Sequence, residues 1–293
     1  MERAQGILYA ALSSSTFGLA PLFTLLLAGG YSPFEALSYR WGVAALFPGA
    51  LAVCSGRSFR LGRRELVTVF LLSLFRAATS LSLIIAYQHI ASGVASTIHF
   101  MYPLAVALAM MCFFREKGSV WVFAAIGMSI VGAVLLSLGN VDFTRGNTTL
   151  GMVSAAVSVV SYGGYIVGVR KSRAVGIDST VLTCYVMGLG ALYFIAGGLV
   201  TGGIRIETDG TAWLCILGVA LPATAVSNMT LVQAIKRIGP TLTSVFGALE
   251  PLTAVVIGVA VFGEPFTVQG AAGILLIVAA VTIVILHSGR RKA

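Results

Sequence analysis

The feature that most constrains this chain is a succession of long apolar runs, separated by short segments rich in Gly, Pro, Ser and charged residues. A helix of about 20 apolar residues spans the roughly 30 Å hydrocarbon core of a bilayer. Only 10% of the 293 residues are charged, whereas soluble domains carry about 25%. Barrel strands of about ten residues with alternating polarity are not seen. The sequence therefore predicts an all-α protein embedded in a lipid bilayer.

Ten membrane-spanning helices are predicted, because Gly, Pro and charged clusters interrupt the apolar runs. Pro33, Pro240 and Pro265 fall at predicted helix starts, where the missing N–H costs little. The predicted spans are residues 6–28, 33–54, 66–88, 92–113, 119–138, 150–170, 179–201, 211–234, 240–262 and 266–287.

The distribution of Lys and Arg predicts the orientation, since short cytoplasmic loops are enriched in these residues. With the N-terminus in the cytoplasm, the outer side holds only Arg145 and Arg205, and two further residues, Arg40 and Arg76, lie within spans. The cytoplasmic side holds Arg3, Arg57, Arg60, Arg63, Arg64, Arg115, Lys117, Arg170, Lys171, Arg173, Lys236, Arg237, Arg290, Arg291 and Lys292. Both termini are therefore predicted to be cytoplasmic. The net charge of +9 is explained by topology, and no nucleic-acid partner is expected.

The chain repeats itself, and this is its most informative feature. At a shift of 148 residues, 86–126 matches the second half without a gap, and Pro103/Pro251 and Glu116/Glu264 are identical pairs. At a shift of 145, residues 6–13 resemble residues 151–158. The sequence predicts two five-helix repeats, residues 1–140 and residues 150–288.

An odd number of helices per repeat forces the two halves into opposite orientations. Inverted repeats are typical of alternating-access transporters, which bind substrate near the midplane between the halves. The expected architecture is therefore ten helices around a central cavity. A duplication retained for packing alone is the alternative.

The second repeat contains Ala234-Ile-Lys-Arg-Ile-Gly-Pro240, Ala248-Leu-Glu-Pro251 and Gly263-Glu-Pro265. With the five-helix repeat, these segments resemble the EamA-type domain of the drug/metabolite transporter superfamily over nearly the whole chain. The first repeat has His99-Phe-Met-Tyr-Pro103 at the position of Gly247-Ala-Leu-Glu-Pro251, and this departure resembles the YddG branch of amino-acid exporters. The resemblance implies a bacterial inner membrane, export of small metabolites such as aromatic and other amino acids, and no ATPase partner. Another metabolite or a drug is the alternative substrate.

Polar residues deep in a span are costly and usually face a cavity or a partner helix. Glu250 lies near the middle of the ninth span, where it could neutralise a substrate amine, bind a proton or serve only the fold. Tyr102 occupies the repeat-related position in the fourth span, with Phe100 close by and His99 one turn earlier. These aromatic residues could line a substrate cavity or simply pack between helices.

Five further mid-span residues are candidates for substrate contact. Tyr162 and Tyr165 share a face of the sixth span, and Ser80 and Asn228 are related by the 148-residue shift. The amide of Asn228 needs hydrogen-bond partners in hydrocarbon. Arg76 could attract a substrate carboxylate or pair with Glu250.

Pro103 and Pro251 lie inside spans and are related by the repeat, so the sequence predicts a pair of hinges or static kinks. No cofactor or metal is expected. The four cysteines are far apart and lack metal-ligand spacing, and no Walker motif or acid–base constellation indicates an enzyme. The sequence does not indicate an oligomeric state.

Overall fold

A computed structural model describes residues 2–20, 31–90, 92–137, 146–262 and 267–289. Within these ranges the chain is helical and has no β-strand. Eight helical segments are long and apolar enough to cross a bilayer, and a shorter apolar helix covers Val120–Leu136. Residues outside these ranges include Pro21, Arg145, Glu264, Pro265 and 290–293.

In the first half, the helices follow the second to fifth predicted spans closely apart from one break, while residues 21–28 of the first predicted span lie outside the described residues. The helices are α1 (Glu2–Phe17), α2 (Pro33–Cys54), α3 (Arg63–His89), α4 (Ser92–His99), α5 (Tyr102–Phe114) and α6 (Val120–Ser137). The Ser32 hydroxyl accepts from the Glu35 amide, and the Glu35 carboxylate accepts from the Ser32 amide, so a capping box begins α2.

The second half has the same order of elements. They are α7 (Thr148–Lys171), α8 (Ser179–Thr201), α9 (Gly210–Ala220), α10 (Ser227–Ile238), α11 (Pro240–Phe246), α12 (Leu249–Phe262) and α13 (Val268–Gly289). A π-turn at Leu221–Val226 joins α9 to α10. Pro222 lies in this turn, where it supplies no N–H, and the locally wider helix accommodates its ring.

Each main helix pair joins one helix of the first half to one helix of the second half. Replacing every helix by its counterpart in the other half gives the same set of pairs. The most extensive contacts are α1 with α10, α3 with α7, α2 with α8 and α6 with α13. In the α2–α8 pair, Phe34 lies against Gly197 and Trp41 against Gly190, so the later residue of one helix meets the earlier residue of the other. The two helices are therefore antiparallel.

The other three pairs are antiparallel as well. Gly6 lies against Ile238 at one end of α1–α10, while Ser13 bonds Ser227 further along. Gly168 meets Leu72 and Gly151 meets Ile90 in α3–α7, and in α6–α13 Gly132 meets Ile277 while Gly273 meets Leu136. Small residues let these helix backbones approach closely.

The fourth and ninth predicted spans are broken near their midpoints rather than continuous. The first break lies between α4 and α5, at Phe100 and Met101, and the second lies between α11 and α12, at Gly247 and Ala248. Pro103 and Pro251 lie in the first turn of α5 and of α12. A proline ring has no N–H for the preceding turn, which favours a new helix start over a continuous helix.

Candidate functional site

The two helix breaks meet at the centre of the molecule. A Cβ atom placed on Gly247 would lie only 1.6 Å from the Tyr102 hydroxyl, so this hydroxyl rests against the backbone of the second break. The α5 and α11 helices are also in contact. Tyr102 from one repeat is therefore seated against the break of the other repeat, and only glycine leaves room for it there.

An aromatic cluster surrounds the first break. The Tyr102 and Tyr162 rings are 4.6 Å apart edge to face, and His99 stacks on Tyr162 at 5.4 Å. Phe100 contacts the Tyr102 edge at 5.9 Å. The His99 Nδ1 atom is 2.8 Å from the Ser158 hydroxyl of α7. All four rings are buried, so the fourth and sixth predicted spans meet through these aromatic side chains.

Arg76 extends the cluster towards the second half. Its Nε donates to the Asn228 Oδ1 atom at 2.9 Å, and Nη1 lies 3.4 Å from the Ser80 hydroxyl. Asn228 in turn donates to the Thr224 carbonyl in the π-turn. Ser80 and Asn228, the pair related by the repeat, thus lie beside the same guanidinium group. Arg76 is only 2% exposed.

Aromatic rings enclose the Arg76 guanidinium. Its Cζ atom is 5.1 Å from the Tyr162 centroid, 5.8 Å from Phe17 and from Trp41, and 6.0 Å from Tyr165. A cation over the faces of such rings is stabilised by their quadrupoles. This contact offsets part of the cost of burying an arginine, and within the described part of the chain Arg76 forms no ion pair with a carboxylate.

Glu250 lies in the first turn of α12, just beyond the second break. Its carboxylate interacts electrostatically with Arg76 and Arg40 and with the hydroxyls of Tyr102 and Tyr162. Among the described residues, neither an ion pair nor a side-chain hydrogen bond of Glu250 is found, and the side chain is partly exposed. The centre therefore holds one carboxylate and two nearby guanidinium groups, and no ion pair among them is found in the described residues.

All nine predicted site residues thus fall in one central cluster, which consists of Arg76, Ser80, His99, Phe100, Tyr102, Tyr162, Tyr165, Asn228 and Glu250. The side chains fill the space between the two breaks in this conformation. The arrangement can bind an amphipathic molecule through ring faces, hydroxyls and two opposite charges.

Comparison with known proteins identifies the family. The model of the EamA-like transporter family matches residues 4–138 and again residues 149–286. The chain belongs to the EamA-like transporter family. Two matches in one chain agree with the internal repeat, and the family confirms the predicted multi-pass membrane protein of transporter type.

Relatives of this EamA-like transporter are themselves described only as transporters. An uncharacterized transporter of Archaeoglobus fulgidus is 26% identical over 238 residues, covering 81% of this chain and 83% of the relative. The uncharacterized transporter YojE of Bacillus subtilis is 25% identical over 284 residues, covering 91% and 88%. A solved crystal structure has a TM-score of 0.85 at 18% identity, covering 99% of this chain and all of that one. That likeness supports the fold.

Several residues of this EamA-like transporter's centre did not stand out in the sequence. Trp41 and Phe17 lie against Arg76. Trp41 carries no signal of its own in an apolar span, whereas Phe17 is the counterpart of Tyr162 at the 145-residue shift. Thr224 accepts from the Arg40 Nε atom at 2.6 Å. The repeat does give a signal here, because Thr224 is the counterpart of Arg76 at the 148-residue shift.

From sequence, Arg40 could either extend its side chain to the membrane interface or pair with Glu35, and the pairing with Glu35 is wrong. Glu35 binds Arg205 instead. Five residues of one helix separate Glu35 from Arg40, which places them about 140° apart around the helix axis at 3.6 residues per turn. They therefore face different neighbours. Among the described residues, no group of His, Cys, Asp and Glu could hold a metal ion.

Proposed function

We propose that this protein exports small metabolites, foremost amino acids including aromatic ones, across the bacterial inner membrane by alternating access. The observation that carries the proposal is the central cluster. It joins an aromatic wall to one buried guanidinium and one carboxylate that are not paired with each other. A zwitterionic amino acid presents the matching groups, an apolar side chain flanked by a carboxylate and an ammonium.

The proposed architecture is ten spans in two inverted repeats, residues 1–140 and 150–288, with both termini cytoplasmic. The antiparallel pairing of α2 with α8, which hold corresponding places in the two halves, supports this inversion. So does the reciprocal pairing of α1 with α10 and of α3 with α7. An inverted pair of halves can exchange conformations, so one fold can open to either side of the membrane.

Pro103 and Pro251 are the proposed hinges. Each lies at the start of a half-helix, next to residues that form mainly i→i−3 hydrogen bonds in place of the α-helical pattern, so rotation there disturbs fewer α-helical bonds than in a continuous helix. The tyrosine hydroxyl seated on the opposite break couples the two hinges mechanically. Movement at one break would therefore displace the residues of the other break.

Flux measured with purified protein in liposomes tests this function. A panel of amino acids, nucleobases and cationic drugs should show saturable uptake and counterflow for amino acids, since a carrier shows both and a pore shows neither. Tyr102→Ala and Tyr162→Ala should reduce flux or shift preference with unchanged monodispersity. Leu135→Ala and Ile277→Ala, on the aliphatic helices α6 and α13, should affect stability more than preference.

Failure of amino acids in this panel, with saturable transport of another class, would replace the proposed substrate and leave the carrier mechanism in place. The second candidate is therefore an exporter of another metabolite or drug, which a broad aromatic wall also accommodates. Wild-type preference retained by both tyrosine variants would place the binding site elsewhere in the molecule.

A further inference from the structure

Two buried hydrogen-bond donors beside Arg76 have no partner among the described residues. The indole Nε1 of Trp41 and the hydroxyl of Tyr165 make no hydrogen bond within the described residues, and both side chains are fully buried. Their rings lie 5.8 Å and 6.0 Å from the Arg76 Cζ atom. A buried donor left unpaired is costly, and two of them around one guanidinium indicate a shared acceptor.

The guanidinium itself has spare donor capacity. Nε and Nη1 point to Asn228 and Ser80, whereas no hydrogen bond of Nη2 is found in the described part of the chain. Arg76 has no ion pair there either. A buried charge is normally paired, and Arg–carboxylate pairs are among the strongest polar contacts.

We infer that Trp41 and Tyr165, together with Arg76, form a subsite for the substrate carboxylate. The Trp41 ring packs against the Gly190 backbone, in the space that a Cβ atom at position 190 would occupy. It also packs edge to face with Phe194, with the ring centroids 5.3 Å apart. The indole is therefore fixed before substrate arrives. This inference rests on the proposed function and assigns two specificity-determining residues to it.

The test compares phenylalanine with phenethylamine, which has the same ring and amine but lacks the carboxylate. Tyr165→Phe keeps the ring and removes its hydroxyl donor, whereas Trp41→Phe removes the indole donor and leaves a smaller aromatic ring. Each variant should raise the KM or Kd for phenylalanine by about tenfold, because it loses one hydrogen bond to a charged group. The KM or Kd for phenethylamine should be unchanged. Trp121→Phe on the exposed face of α6 is the matched control.

Equal behaviour of wild type and both variants towards phenylalanine would overturn the subsite and leave amino-acid export standing. A parallel loss for both compounds would show that the rings act only in packing. Binding of no carboxylate-bearing compound by the wild type would overturn the subsite and the proposed amino-acid substrate together.

A second inference comes from the two ends of the α2–α8 pair. At one end Glu35 accepts from the Arg205 amide at 2.9 Å and from its guanidinium at 3.2 Å, while the Tyr39 hydroxyl donates to the Arg205 carbonyl. At the other end Arg57 pairs with Asp178. We name these contacts the Glu35 clasp and the Asp178 clasp.

The clasps correspond to each other through the repeat. Arg57 and Arg205 are 148 residues apart. Arg57 follows α2, and Glu35, the partner of Arg205, lies in the first turn of α2. Arg205 follows α8, and Asp178, the partner of Arg57, directly precedes α8. The tyrosine contacts correspond at a shift of 146 residues, since Tyr39 donates to the Arg205 carbonyl and Tyr185 donates to the Phe59 carbonyl at 2.8 Å. Because α2 has 22 residues and is about 33 Å long at 1.5 Å per residue, one clasp lies near each membrane face.

We propose that the clasps lock α2 and α8 into one rigid unit that stays closed while the remaining helices move. Both clasps are formed in the same conformation. Phe34, next to Glu35, lies on the Gly197 backbone, and Trp41, between the clasps, lies on the Gly190 backbone. Parting the helices at the Glu35 end would therefore break a packed ring contact as well as the clasp. A gate would instead open at one face during each cycle.

Crosslinking distinguishes a rigid unit from a gate. In a variant with its four cysteines replaced by serine, cysteine pairs at Glu35/Arg205 and at Arg57/Asp178 are joined with a short reducible thiol crosslinker. Fully crosslinked protein in liposomes should transport at the rate of the same sample after reduction. Transport that stops at either crosslink and returns on reduction would identify that clasp as a gate and overturn the proposal.

Discussion

Replacement of Gly247 by alanine probes the contact between the two helix breaks. The Gly247 backbone has φ −54° and ψ −21°, which alanine adopts freely, so the dihedral angles add no strain, although the added Cβ would lie 2.9 Å from the Ser244 carbonyl oxygen. The added Cβ would lie 1.6 Å from the Tyr102 hydroxyl and 2.8 Å from its Cζ atom. The tyrosine must therefore move out of the central cluster.

The expected cost of Gly247→Ala is about 1–3 kcal/mol of stability, the range for overpacking a well-packed core, together with impaired flux. Tyr102→Phe removes the atom at 1.6 Å but keeps the ring at 2.8 Å. The double variant should therefore recover part of the loss, with an interaction energy of about 0.5–3 kcal/mol in a double-mutant cycle.

The assay is denaturation of the purified protein in detergent, paired with liposome flux. Gly188→Ala is the matched control, since nothing lies within 4 Å of its Cβ position in α8. It should be neutral or stabilising by up to about 1 kcal/mol. A Gly247→Ala protein that is as stable and active as wild type, without coupling to position 102, would refute the proposed contact between the breaks.

Three further predictions concern orientation, coupling and pH. A cysteine at Thr208 should react with an impermeant thiol reagent from outside the cell and one at Ser58 should not; the reverse labelling would invert the topology. Glu250→Gln should abolish any dependence of flux on a pH gradient while exchange partly persists, and an unchanged pH response would remove this residue as the coupling group. Outside the spans, the hydrogen bond to Glu207 raises the pKa of Tyr31 to about 12 and lowers the pKa of Glu207, so the contact should be lost as pH rises through 12 or falls through the lowered carboxyl pKa. Alkaline phenolate titration should show a component near pH 12 that Glu207→Gln shifts towards about 10; no shift would disprove the bond.

Much of the central cluster could be predicted from sequence because polar groups are rare and costly in apolar spans. Arg76, Asn228 and Glu250 stood out for this reason, and the repeat marked Tyr102 as the counterpart of Glu250. Their partners could not be predicted. Helical periodicity fixes which face a residue occupies but not which helix packs on that face, and so the Thr224 hydroxyl could not be predicted as the partner of Arg40.

By itself, the sequence determined the long apolar segments, the repeat and the set of central polar residues, because hydrophobicity and internal identity are local properties of the chain. Only the tertiary structure decided that two spans break at their midpoints, that Tyr102 rests on Gly247, and that Trp41 and Tyr165 leave donors unpaired beside Arg76. The clasps belong to this second group as well. Each joins residues about 120 or more positions apart, and such contacts exist only once antiparallel packing has brought the two helices together.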